Sequence, residues 1–112
     1  MAKDNVTLEN LDEKMFAAAK SSLGSKFASV ELYLKAESEK LAITLRMIIE
    51  SCAANKIRKA EAKILLNQQK AATSAVLTAA EGMSAVAVQA ALNAALKVVK
   101  DLVNSKIGFP LL

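Results

Sequence analysis

The stretch VAVQAALNAALKVVKDLV, from Val86 to Val103, limits the fold more than any other part of the chain. Wound at about 100° per residue, it places Gln89, Asn93, Lys97, Lys100 and Asn104 on one narrow stripe. Its apolar residues then cover about 200° of arc, where a surface helix needs only about 100°. Such a helix packs against at least two neighbours. Val88, Leu92, Leu96, Val99 and Val103 form a large-residue flank, and Ala87, Ala91, Ala94, Ala95 and Val98 a mostly small one that lets another backbone approach closely.

Composition extends this reading to the whole chain. Roughly one residue in five is Ala, aromatics are 4%, and the 112 residues include three Gly and one Pro. Ala, Leu, Lys and Glu favour helix, whereas a sheet protein needs more Val, Thr, aromatics and turn residues. The expectation is an all-α antiparallel bundle of about four helices, one domain built on a long helical hairpin and completed by self-association.

Helices are expected over about 8–23, 26–54, 56–81 and 85–106, followed by an apolar tail at 107–112. Thr7 and Asn10 are the candidate N-caps of the first, with Asn10–Glu13 as a capping-box pair. Gly24 is placed to end it and Ser25 to cap the second. Phe27, Val30, Leu34, Leu41, Leu45, Ile48 and Cys52 give the second helix a core stripe. Ile57, Ala60, Ile64 and Ala71 read as the stripe of the third, about 120° out of phase with the second if one helix continued through both. A break is therefore expected at Ala53–Lys56, with Asn55 in the left-handed conformation. Gly82 and Ser84 mark the next turn, and Gly108 and Pro110 the end of the last helix.

The second helix carries a further apolar seam, Leu32, Ala36, Ile43 and Met47, with Glu39, Lys40 and Glu50 beside it. The first helix is too short to cover a second helix about 43 Å long. This seam, with Ala87, Ala91, Ala94, Ala95 and Val98, is the expected self-association interface, and a homodimer is the favoured assembly. The tail residues Phe109, Leu111 and Leu112 close over the bundle end or dock on a neighbour.

Charge is divided between the halves. Residues 1–54 hold seven basic and eight acidic residues, net −1; residues 55–112 hold eight basic and three acidic, net +5. Lys56, Lys59, Lys63 and Lys70 lie within about 60° on the third helix and form a candidate anion-binding stripe. It lacks aromatics, and Arg58 is on another face, which disfavours nucleic acid. Glu31, Glu37, Glu39 and Glu50 read as surface charges, with Glu31–Lys35 and Arg46–Glu50 as helical pairs.

The chain contains no histidine. That removes Ser-His-Asp and Cys-His catalysis, Cys/His zinc sites and Glu-x-x-His carboxylate sites. The three glycines form no phosphate loop. No enzymatic role, cofactor or metal is expected. The single Cys52, on the core stripe, forms no intrachain disulfide and reads as an inert core thiol. The N-terminus shows no secretory h-region, which with the single cysteine suits a reducing cytoplasm, and no stretch is expected to span a membrane.

Overall fold

The computed structural model describes residues 6–80 and 83–112, and among them every regular element is helical. Four α-helices follow one another: α1 (Leu11–Leu23), α2 (Phe27–Ala53), α3 (Lys59–Ala79) and α4 (Ala85–Ile107). Single 3-10 turns precede α1 (Leu8–Asn10) and link it to α2 (Gly24–Lys26). Each helix packs on the next, and α1 closes the ring against α4 in the most extensive contact of all. The molecule measures 42 × 35 × 19 Å. Its short dimension is about two helix diameters, so the bundle is a two-layer slab.

The helix ends follow local chemistry. Thr7, not Asn10, caps the start: Asn10 N donates to Thr7 Oγ1 (3.3 Å) and Thr7 N to Asn10 Oδ1 (2.8 Å). Asn10 is thus the far side of the capping box rather than its origin. Gly24 ends α1 with φ 57°, its N–H donating to Lys20 O. Ser25 does not cap α2; it lies within the 3-10 turn, which runs straight into the helix. At this corner Phe16 and Phe27 meet edge to face with centroids 5.5 Å apart, and Lys20 lies over the Phe27 ring.

The break after α2 is where the sequence places it. Asn55 has φ 59°, the one non-glycine with positive φ among the described residues. Asn55 N donates to Cys52 O (3.1 Å) and Lys56 N to Ser51 O (2.8 Å), the paired bonds of a Schellman motif. α3 begins three residues later than expected, with Glu61 Oε1 accepting from Arg58 N at 2.8 Å. Lys56 therefore sits in the turn and not on the third helix. Gly82 lies outside the described residues; Ser84 caps α4 through Oγ, which accepts from Ala87 N at 3.1 Å. Gly108, φ 83°, ends α4 with its N–H on Asn104 O.

The expected stripe of α2 is the core: Val30, Leu34, Leu41, Leu45 and Ile48 are buried, with Phe27 and Cys52 half-buried at its ends. The large flank of α4 is buried throughout, from Val88 to Val103. The stripe assigned to α3 is wrong. Ala60, Ile64 and Ala71 are exposed and Ile57 is only half-buried, while Ala62, Leu66, Thr73 and Leu77 face inward. The true stripe lies about 160° from the expected one, and only about 40° out of phase with that of α2. The break thus owes more to the local turn at Asn55 than to a clash of phases. Thr73 is buried because Gln69 Nε2 donates to its Oγ1 (3.1 Å), while Thr44 Oγ1 of α2 donates to Gln69 Oε1 (3.4 Å). No buried side-chain N or O among the described residues lacks a partner.

Asn55→Ala places a Cβ-bearing residue without a compensating polar group in the left-handed region, and should lower stability by about 1 kcal/mol, whereas Asn55→Gly should preserve or slightly raise it. Urea unfolding of the two variants checks this; equal midpoints would contradict the turn's role.

Candidate functional site

Two surfaces stand out once the chain has folded. The first is the outer face of α2. Leu32 is 82% exposed, Ile43 60% and Met47 45%, and Ala36 between them is exposed as well. From Leu32 to Met47 the seam runs about 22 Å along the helix. Glu39, Lys40 and Glu50, all exposed, border it. Lys40 Nζ reaches inward to Glu37 Oε2 at 3.1 Å. Glu37 itself is buried, so the expectation of a surface charge there fails: its position faces the core side of α2, and Lys40 carries its compensating charge to the surface. Arg46 does not pair with Glu50; its Nη1 donates to Leu8 O at 2.8 Å and ties the first turn to α2.

The small flank of α4 is mostly used inside the chain. Ala91 and Ala95 are buried beside Ala19 of α1, around a void of only about 10 Å³. They allow the close α1–α4 approach and are not available to a second copy, which corrects their assignment to an interface. Ala87, Ala94 and Val98 are half-buried; Ala94 and Val98 share a shallow recess with Val6 and Leu102.

The second surface is a groove of about 480 Å³ between α3 and α4. Lys63 and Lys70 line it from α3, and Lys97 and Lys100 from α4, with Asn67 and Asn93 among them. Leu66, Leu96, Leu111 and Leu112 supply its apolar lining. No acidic side chain lines it, and none of the four lysines makes an ion pair among the described residues. The lysine row borders the buried stripe of α3, because Lys63 and Lys70 lie beside Leu66 on the helix surface. The expected stripe is divided by the fold: Lys63 and Lys70 enter the groove, Lys59 instead lies 5.5 Å from the centre of the Phe109 ring, and Lys56 is exposed in the turn. Lys97 and Lys100 were not expected in this site. Their signal was the polar stripe of α4, which becomes the groove's second wall once α4 lies beside α3.

The tail completes the groove. Asn104 Oδ1 accepts from Leu111 N (2.9 Å) and Leu112 N (3.0 Å), and Asn104 Nδ2 donates to Leu112 O (3.5 Å). Leu111 is buried, and Phe109 and Leu112 pack partly on the core. Closure over the bundle end is what Leu111 and the Asn104 hydrogen bonds support, while Phe109 and Leu112 stay half-buried.

Cys52 is free and half-buried. Among the described residues no His, Cys, Asp or Glu side chains gather as a metal site, and no helix is long and apolar enough to cross a membrane. No family model matches the chain, and neither a characterised protein nor a solved structure matches it.

Replacing Ala91 by Leu should cost about 1–3 kcal/mol, because the adjoining void cannot take three further carbons. Denaturant unfolding reads this directly; an unchanged midpoint together with a changed solution mass would return Ala91 to an interface.

Proposed function

We propose that this chain is a non-enzymatic structural module that associates with itself through the outer face of α2. The observation that carries the reading is the exposure of Leu32, Ile43 and Met47 on one face after α1 and the tail have taken their places. A contiguous apolar patch with a polar rim is the usual mark of a protein interface, whereas scattered exposed apolar residues are ordinary. These three share one helix face with Ala36, in a row flanked by the exposed Glu39, Lys40 and Glu50. The absence of histidine removes the commonest general base and zinc ligand, which supports a role without catalysis. A lone half-buried cysteine suits a reducing compartment such as the cytoplasm.

A second reading, an anion-binding module, draws support from the convergence of four lysines on the α3–α4 groove. It requires affinity for polyanions that falls steeply with salt.

Ile43→Lys combined with Met47→Lys should dissociate the assembly to a mass near 11.9 kDa while far-UV dichroism keeps the full helical signal. Sedimentation equilibrium provides the mass. An assembly that persists with both lysines in place would remove the α2 face from the interface.

A further inference from the structure

We infer that the lysine groove between α3 and α4 seats the acidic edge of α2 from a second copy of this chain. The inference rests on the self-association proposed above and names the surface that receives the α2 face. Its basis is the opposite charge of two open grooves on the same chain.

The groove between α3 and α4 brings four lysines together with no carboxylate side chain among the described residues. The groove between α1 and α2 is its opposite: Asp12, Glu13, Glu31 and Glu39 line it together with Phe16, and Lys35 is the one basic residue among the described lining. Each groove lies on a different helix pair, and the ion pairs within the described residues, Lys40–Glu37 and Arg58–Glu61, join neither to the other. Lys35 offsets part of the acidic groove, and the excess of each sign stays exposed at the surface. A second copy provides both signs.

Spacing and polarity fit the same occupant. Glu31 and Glu39 lie about 12 Å apart along α2, and Lys63 and Lys70 about 10.5 Å apart along α3. Glu39 falls beside the bare seam of Leu32, Ala36 and Ile43, so the edge offered is acidic and apolar together. The groove is basic with leucines between its walls, which suits an amphipathic helix better than a phosphate chain. It presents no arginine and no aromatic to read or stack on bases. Exposed ion pairs contribute little affinity individually. In this contact the apolar seam supplies most of the attraction, while the charges set register and partner choice. The contact joins unlike surfaces, so when repeated from copy to copy it closes a ring or extends as a filament.

The test is a charge exchange at four exposed positions, with folding monitored by urea midpoint. Lys63→Glu with Lys97→Glu, and separately Glu31→Lys with Glu39→Lys, should each weaken self-association at least tenfold in sedimentation velocity. An equimolar mixture of the two variants should recover assembly to within about threefold of the unaltered chain, since each then supplies what the other lacks. A multimer whose mass and affinity are untouched by either variant would overturn this inference and leave the α2 interface standing. Failure of the mixture to recover assembly would overturn it too. An unaltered chain that is monomeric would remove the underlying self-association reading as well. Salt-sensitive binding of a duplex oligonucleotide, lost in the Lys63→Glu/Lys97→Glu variant while its assembly is unchanged, would reassign the groove to nucleic acid.

Discussion

The close packing of α1 on α4 is the interaction from which the rest of the architecture follows. Alanines at 19, 91 and 95 are buried there, and the void they line with residues of α2 and α3 is only about 10 Å³. With its small flank taken by α1, α4 turns its large flank, Val88 to Val103, towards the interior shared with α2 and α3. One helix thus receives neighbours on two sides, which is what an apolar arc of about 200° requires. The cost falls on α2. It is 27 residues long against 13 for α1, and its inner stripe alone is enough to hold the ring closed. Leu32, Ile43 and Met47 are left exposed on its outer side.

A two-layer slab has much surface for its volume, so small domains of this shape bury a limited fraction of their apolar area. The tail adds a little cover: Asn104 anchors the backbone of Leu111 and Leu112, and Leu111 joins the core. That closure also fixes one wall of the lysine groove. The feature that finishes the fold and the feature that shapes the basic surface are therefore the same few residues.

Local chemistry was legible in the sequence, and tertiary placement less so. The turn at Asn55 could be located because a left-handed asparagine and its paired hydrogen bonds depend on a few adjacent residues. The core stripe of α2 was equally plain, since large aliphatic residues there alternate with charges. On α3 the same method chose the opposite face. Ile57 and Ile64 resemble a core stripe, while the true inner face contains Thr73, made acceptable by Gln69 and Thr44 only after α2 and α3 have met. Glu37 was hidden for a related reason: its partner Lys40 reaches it from the surface, and burial of a paired carboxylate leaves no mark on periodicity. Half of the lysine groove was visible as a row on α3. The other half required knowing that the polar stripe of α4 lies across from it.

The account turns on whether the bare face of α2 is covered in solution, and the solution mass of the unaltered chain addresses that most directly. Light scattering after size exclusion, across a range of protein concentrations, should give a whole-number multiple of 11.9 kDa that dilution drives towards the single chain. A constant mass of 11.9 kDa at every concentration would contradict it, and would mean that the α2 face remains exposed in solution.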